Sequence, residues 1–322
     1  MLKRLVNLDI LRGFALCGII LINIMQLVHY NMDWTPLDKG ILQFLHFAVE
    51  QRFYVIFAFL FGVGFHIFIS RAEARGDRPR LRFTRRLIIL LVIGMIHHYF
   101  QPGEALLVYA ILGFFLIPFY RVKPWVSLLI ALFIIGISVG WLGIAQLETL
   151  GMFFLGKWAG QIRLFAEPER YRKGLRITQI AALVLIWPLH LSGNWILDQF
   201  GLVDISSMLS GLPVSVFYVT TLILLLRQPR IERLLTPLGN LGRMALTNYV
   251  SQTAVILLLS HLLHWPSQVH ITVLMIAALF ILIIQMILSS WWLSRFTMGP
   301  IEYIWRLGTY GQKPQRSSIS SS

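Results

Sequence analysis

Apolar residues fall in long runs along this chain, and short polar or Gly/Pro-containing connections separate the runs. Several runs approach or exceed the roughly 18 residues that a helix needs to cross a bilayer. Apolar periodicity and breaker residues predict ten membrane-spanning helices. Their approximate bounds are 8–30, 52–70, 85–101, 104–120, 125–142, 145–162, 177–197, 206–226, 244–264 and 269–293. The pattern therefore predicts an all-α, polytopic membrane protein.

Composition agrees with a membrane protein and excludes most soluble classes. Of 322 residues, 57% are hydrophobic and 13% are charged, whereas a soluble domain carries about 25% charged residues. The net charge of +14 would favour a nucleic-acid partner in a soluble chain. Here the basic residues lie between the apolar runs, so we expect the lipid bilayer as partner and no nucleic acid.

The positions of lysine and arginine predict the topology. All but three of the 28 basic residues fall at the two termini and on alternate connections. Because positive connections stay in the cytoplasm, both termini are expected there and the number of spans is even. We expect a multi-pass protein of the bacterial inner (plasma) membrane. Residues 1–311 are predicted to form a single transmembrane domain, and the serine-rich segment 312–322 a disordered tail.

The first predicted span carries an acid, a base and an amide on one face. At 100° per residue, Asp9, Arg12 and Asn23 lie at 0°, 300° and 320°. Ionisable groups at membrane depth face the bundle interior or a wet cavity. One interpretation is a contact to a ligand or cofactor, because Asn23 lies deeper on the same face. The alternative is an Asp9–Arg12 pair near the interface, with Arg12 reaching towards the head groups.

A histidine and a carboxylate flank the turn between the third and fourth predicted spans. Glu104 follows His97 by seven residues across Gln101-Pro-Gly103. A carboxylate beside a histidine orients the ring and raises its basicity, as a general base requires. Interface preference alone would also place a histidine here. We predict no metal site, because the adjacent His97 and His98 point about 100° apart and the single cysteine, Cys17, belongs to no ligand pattern.

Two further segments carry polar residues. Arg243 and Asn248 open the ninth predicted span, where polar and small residues also suit close helix packing and interhelical hydrogen bonds. Glu302 and Arg306 are i,i+4 partners after the last span. By itself that segment is typical of an amphipathic helix on the inner leaflet.

These segments together resemble the YeiB-like family of uncharacterised bacterial membrane proteins, over nearly the whole chain. The motifs that carry the resemblance are Leu8-Asp-Ile-Leu-Arg-Gly13, Arg52-Phe-Tyr54, Phe57-Ala-Phe-Leu-Phe-Gly-Val-Gly64, Arg85-Arg86, Gly94-Met-Ile-His97, Tyr109-Ala110, Gly242-Arg-Met-Ala-Leu-Thr-Asn-Tyr249 and Gly299-Pro-Ile-Glu-Tyr-Ile-Trp-Arg306. The resemblance implies that the family's C-terminal domain of unknown function corresponds to about residues 150–311. Family members usually show Gly-Asp after the histidine, whereas this chain has Gly103-Glu104.

Through its Leu-Asp-x-x-Arg-Gly start, the family is distantly similar to membrane acyltransferases of the lysosomal glucosaminide acetyltransferase type and of bacterial surface glycans. That similarity implies transfer of an acyl group from cytoplasmic acyl-CoA to an acceptor, a cell-surface sugar or similar molecule, at the outer face. Three arginines are then expected to meet the phosphates of CoA: Arg12, Arg243 and Arg306. Four polar residues are expected to hold these arginines or to line the path: Asp9, Asn23, Asn248 and Glu302. His97 is the expected general base, assisted by Glu104.

Two other functions fit the same residues. The arginines of a transporter or exporter would bind a small anionic or amphipathic solute, and its histidines would relay protons. Against it, we find no paired Gly/Pro-broken helices in the two halves. A non-catalytic membrane partner is the third hypothesis, and it predicts that function survives replacement of Arg12 or His97.

Overall fold

The computed structural model describes residues 5–28, 30, 34–263, 265 and 269–311. Within these ranges the regular structure is helical, apart from an isolated bridge between Tyr30 and Val269. The helices are α1 Val6–Leu27, α2 Pro36–Ala48, α3 Arg52–Ala74, α4 Pro79–Phe100, α5 Leu106–Phe114, α6 Pro124–Ile137, α7 Ala145–Gln161, α8 Arg172–Phe200, α9 Val203–Leu225, α10 Pro229–Leu234, α11 Thr236–Arg243, α12 Ala245–Leu262, α13 Ile271–Arg295 and α14 Pro300–Tyr310. A π-helical turn, Ser138–Leu142, follows α6, and a 3-10 turn, Pro168–Tyr171, precedes α8. The predicted tail, 312–322, lies outside the described residues.

The chain is a polytopic membrane protein. Seven helical segments of the described chain are long and apolar enough to cross a bilayer. They are Val6–Leu27, Pro36–Ala74, Pro79–Phe100, Pro124–Leu142, Pro168–Phe200, Val203–Leu225 and Ile271–Arg295. Each overlaps one of the ten predicted spans.

The other three predicted spans, 104–120, 145–162 and 244–264, contain shorter or more polar helices. In α5 the regular helix ends at Phe114, because i→i+3 bonds take over from Phe115 to Val122. The 17-residue α7 carries Glu148 and Lys157, and the first half of α12 is polar. Length and composition therefore identify seven candidate spans where the apolar pattern predicted ten.

Helix α2 occupies a connection for which no helix was predicted. Thr35 and Asp38 form a capping box around its start, with Pro36 as the first helical residue. Asp38 also accepts hydrogen bonds from the backbone N–H and the hydroxyl of Thr272, at 3.0 and 2.8 Å. One buried carboxylate therefore caps both α2 and α13.

Reciprocal glycines bring two helix pairs into backbone contact. A methyl group at Gly62 of α3 would overlap the Phe153 carbonyl of α7, and one at Gly156 of α7 would overlap the Phe59 carbonyl of α3. Gly13 and Gly242 do the same for α1 and α11. Small residues on facing helices permit this close approach in membranes. The contacts hold α1 and α3, which carry much of the candidate site, against their neighbours.

Candidate functional site

A cavity of about 1030 Å³ lies between α1, α3, α4, α5, α11, α12 and α14. On α1 its wall extends from Leu5 to Ile19, which is about 21 Å of helix at 1.5 Å per residue. Six arginines lie on the wall: Arg12, Arg71, Arg75, Arg86, Arg243 and Arg306. Among the described residues that line it, the acids are Asp9 and Glu302. The wall therefore carries six positive against two negative side chains.

The arginines cluster at the end of the cavity that lies nearest the basic connections, called here the mouth. Arg12 donates to Asp9 across 3.3 Å on α1. Arg86 of α4 stacks on Trp305 of α14, with its guanidinium carbon 3.4 Å from the ring centroid. Arg243 donates to the backbone carbonyl of Thr297. All three arginines line the same cavity, and their planar guanidinium groups suit bidentate binding of phosphate.

Arg75 lies at the outermost part of the mouth. It donates to Asp77 at 3.0 Å and to the Tyr310 hydroxyl at 3.2 Å. Burial lowers the pKa of Arg75, but the hydrogen bonds to Asp77 and Tyr310 outweigh burial and raise its pKa above the ordinary value. Arg75 therefore keeps its positive charge at every physiological pH.

Glu302 joins α14 to the start of α12. Its carboxylate accepts hydrogen bonds from the backbone N–H groups of Leu246 and Thr247, at 2.8 and 3.1 Å, and from the Thr247 hydroxyl at 2.5 Å. Thr247 in turn accepts from the Ile301 N–H at 3.1 Å. Glu302 is therefore an N-terminal cap supplied to α12 by another helix. Its position on the cavity wall follows from that cap.

The inner end of the cavity is lined by tyrosines. Tyr249 of α12 accepts the N–H of Ala105 at 3.2 Å, and Tyr109 of α5 donates to the Tyr54 carbonyl at 2.8 Å. Tyr54 in turn donates to the side-chain carbonyl of Asn23 on α1. Asn23 is buried, and it does not line the cavity itself. It orients Tyr54 beside the inner end.

His97 and Glu104 lie directly behind Tyr249, and both are buried. Nδ1 of His97 is 3.3 Å from Oε2 of Glu104, so the tight turn does bring the two groups together, as predicted. Glu104 also accepts from the N–H groups of Leu106 and Leu107, both at 2.6 Å, and so caps α5. The ring centroids of His97 and Tyr249 are 5.0 Å apart. Tyr249 thus separates the His97–Glu104 pair from the cavity.

The second nitrogen of His97 bonds to a threonine. Nε2 lies 2.9 Å from the Thr253 hydroxyl, which lies 2.6 Å from the side-chain carbonyl of Gln101. If Thr253 donates to Gln101, Nε2 of His97 must donate to Thr253. If the Gln101 amide is turned by 180°, Thr253 can donate to Nε2 instead. The orientation of Gln101 therefore decides whether Nε2 of His97 is a donor or an acceptor.

Asn248 lies away from the cavity, between α12 and α13. Its amide nitrogen donates to the Leu241 carbonyl at 3.0 Å and to the Ser289 hydroxyl at 2.9 Å. Gln252 continues this network with a 3.0 Å bond to Gln285. The polar residues of α12 thus serve helix–helix contact on this face.

Five of the nine predicted site residues share the cavity wall: Asp9, Arg12, Arg243, Glu302 and Arg306. Asn23, His97 and Glu104 surround its inner end, and Asn248 lies elsewhere. Sequence reasoning did not select Arg86, Tyr249 or Trp305 as site residues. A signal for Arg86 existed, because eleven residues separate it from His97, which is only about 20° of rotation and about 16 Å of rise on one helix. The separation of Arg12 and Asn23 on α1 is the same.

Comparison with known proteins identifies relatives over almost the whole chain. Residues 159–312 match the family described as "Protein of unknown function (DUF418)". An uncharacterized 39.9 kDa protein in the amylase 3' region of Bacillus acidopullulyticus is 40% identical, over 97% of this chain and 95% of that protein. The uncharacterized protein YxaH of Bacillus subtilis is 28% identical, over 96% and 94%. The uncharacterized protein YeiB of Escherichia coli is 24% identical, over 95% and 96%. No solved structure matches. The predicted YeiB-like resemblance is thereby confirmed.

Proposed function

The chain belongs to the DUF418 family, and from its cavity we propose that it is a transmembrane acyltransferase. It moves an acyl group from cytoplasmic acyl-CoA to an acceptor at the outer face, such as a cell-surface sugar. The observation that carries this proposal is a single cavity with six arginines at its mouth and a histidine–carboxylate pair behind its inner end.

The proposed topology has ten spans, with both termini in the cytoplasm of a bacterial cell and the protein in its plasma membrane. Helices α5, α7 and α12 supply the three spans beyond the seven that length and composition identify. The nine residues of α5 rise about 14 Å, and the i→i+3 turns of 115–122 add about 16 Å. Together they cover the roughly 30 Å of a hydrocarbon core.

The mouth then faces the cytoplasm, where acyl-CoA is made. CoA carries a diphosphate and a 3'-phosphate, and these anions are the natural partners of an arginine-rich wall. A volume of about 1030 Å³ lies at the upper end of the range for ligand pockets, about 300–1,000 Å³. Trp305, held flat against Arg86, offers an aromatic face for the adenine ring. The inner part is lined by apolar side chains such as Phe57 and Leu106, which suits the pantetheine arm and the acyl group.

Transfer takes place at the inner end in this proposal. The acceptor's hydroxyl or amine attacks the thioester carbonyl, a new C–O or C–N bond forms, and the C–S bond breaks. His97 takes the acceptor's proton and passes it to the departing thiolate of CoA. For this step the Tyr249 ring turns away from His97 and Nε2 exchanges Thr253 for the acceptor, while Glu104 holds Nδ1. Tyr249, a residue of the cavity wall, donates its hydroxyl hydrogen to the developing oxyanion in this proposal.

The test is binding of acetyl-CoA to the detergent-purified protein, followed as a thermal shift. Ligand at 100 times its Kd stabilises the folded state by about 2.7 kcal/mol. We expect the shift to disappear in Arg12→Ala and to persist in the matched control Arg176→Ala, which alters an exposed arginine of α8 away from the cavity. If Arg12→Ala loses the shift, His97→Ala is then tested for loss of transfer. No shift in the folded wild-type protein would contradict the proposal and favour the alternative, a transporter or exporter of a small anionic or amphipathic solute.

A further inference from the structure

Arg52 is fully buried at the end of the bundle opposite the mouth. It begins α3 and lies 19 residues before Arg71, which is about 28 Å along the helix. Its Nη1 donates to the Glu50 carbonyl at 2.5 Å and its Nη2 to the Ser210 hydroxyl at 3.1 Å. Its Nε–H has no partner among the described residues. Arg52 thus keeps one buried donor free on the side of α3 that faces α9.

Glu148 supplies a buried acceptor nearby. It lies in the first turn of α7 and is 3% exposed, and its Oε1 has no hydrogen-bond partner within the described part of the chain. Gly156 of α7 meets Phe59 of α3 and Gly160 meets His66, so the two helices run parallel and their first turns, with Arg52 and Glu148, lie at the same end. Between these two described side chains there is no ion pair. Unpaired charges that leave water cost several kcal/mol each. A bridging group between donor and acceptor would remove that cost for both.

The surroundings of these two residues are polar and irregular. Two buried serines of α9 contact Arg52: Ser210 accepts from its Nη2, and Ser215 donates to its backbone carbonyl at 3.1 Å. Ser138, at the π-helical turn, donates to the Ile144 carbonyl, which also accepts the N–H of Glu148. At membrane depth, irregular backbone is tolerated where it is buried in protein or lines a wet cavity, and π-turns are frequent at functional sites.

We propose that Arg52 and Glu148 form a second binding site, for a hydroxyl group that accepts from Nε of Arg52 and donates to Oε1 of Glu148. Only a group that is both donor and acceptor satisfies the two atoms at once, so neither a simple cation nor a simple anion fits. Water and an alcohol such as a sugar share this chemistry. The other charged or titratable groups near Arg52 are Glu50, bonded to His46 at 2.8 Å, Tyr218 of α9 and His190 of α8. The site is independent of acyl-CoA and of the cavity described above.

The oxidation rate of Met208 can be used to detect water at this site. Met208 is 1% exposed, and its sulfur lies 3.7 Å from the hydroxyl of Ser138, which shares the Ile144 carbonyl with the N–H of Glu148. Met208 also precedes Ser210, which binds Arg52, by two residues on α9. In radiolytic hydroxyl-radical footprinting, radicals form from water, and a methionine next to bound water is oxidised although it is buried. We expect Met208 to be oxidised at least several-fold faster than Met275, a buried methionine of the apolar core. Glu148→Leu should bring Met208 down to the rate of Met275.

Equal oxidation of Met208 and Met275 in the wild-type protein would overturn the proposal, whether or not Glu148→Leu folds. A second measurement distinguishes the two sources of the hydroxyl. Thermal unfolding is followed with glucose, galactose and N-acetylglucosamine, in the wild-type protein and in Glu148→Gln. A larger rise in Tm in the wild type assigns the site to a sugar hydroxyl, and equal rises assign it to water. Neither measurement uses acyl-CoA, so failure of the acyltransferase proposal would not affect them.

Discussion

The role of Glu302 can be separated into capping and ligand binding by two substitutions. Glu302→Ala removes three hydrogen bonds to a carboxylate, each of which contributes about 1.5–3 kcal/mol when the groups are shielded from water. Because Glu302 is half-buried and water can replace part of these bonds, we expect Glu302→Ala to lower the free energy of unfolding by about 3–5 kcal/mol. Glu302→Gln keeps a carbonyl oxygen for the two N–H groups and an amide that can donate to the Thr247 hydroxyl. It loses only the charge, at a cost of about 1–2 kcal/mol.

The measurement is thermal or chemical unfolding in one detergent, with acetyl-CoA titrated into each folded variant. Glu302→Gln removes one of the two negative charges from the wall, so affinity for an anionic ligand should stay equal or increase. Glu232→Gln, at an acid of α10 that does not line the cavity, is the matched control. Equal destabilisation by Ala and Gln would refute the capping argument. Weaker acetyl-CoA binding in Glu302→Gln at unchanged stability would instead make the carboxylate a ligand contact.

Three further predictions concern packing, chemistry and the mouth. Gly156→Ala should lower the free energy of unfolding by about 1–3 kcal/mol, because the methyl group meets the backbone of α3. Gly174 has open space around it, so Gly174→Ala should be neutral or stabilising in the same unfolding assay. His97→Gln should lower kcat for acyl transfer by about 10²–10⁴ and leave the KM for acyl-CoA unchanged. A change in KM with kcat unchanged would contradict the role of His97 as general base. Arg86→Lys keeps the charge but loses the stacked plane on Trp305, so acetyl-CoA affinity measured by calorimetry should fall by about 0.5–2 kcal/mol; equal affinity would show that the stacked geometry is irrelevant.

Local pattern predicted the long spans well, for a simple physical reason. The transfer free energy of an apolar run depends on its own residues, so α1, α4 and α13 are visible in the sequence without any knowledge of their neighbours. It failed for α2, whose 13 residues are amphipathic and whose start depends on the short-range cap between Thr35 and Asp38. It also could not reveal that regular helix gives way to i→i+3 turns after Phe114.

For the candidate site, closeness in sequence decided what could be predicted. Asp9 and Arg12 are three residues apart, and His97 and Glu104 are joined by a tight turn, so their contacts follow from local geometry. The place of Tyr249 between the cavity and His97 depends on how α12 packs beside α4 and α5, and no local pattern encodes it.

The sequence by itself determined that the chain lies in a membrane, where its long apolar helices run and which position each polar side chain takes along them. Only the tertiary structure decided which polar faces meet. It brought Arg12, Arg243 and Arg306 to one cavity and turned Asn248 towards Ser289 on another face. Helical periodicity sets the angle between residues on one helix, but the rotation of each helix about its axis comes from packing, here from the reciprocal glycines that fix α1 against α11 and α3 against α7.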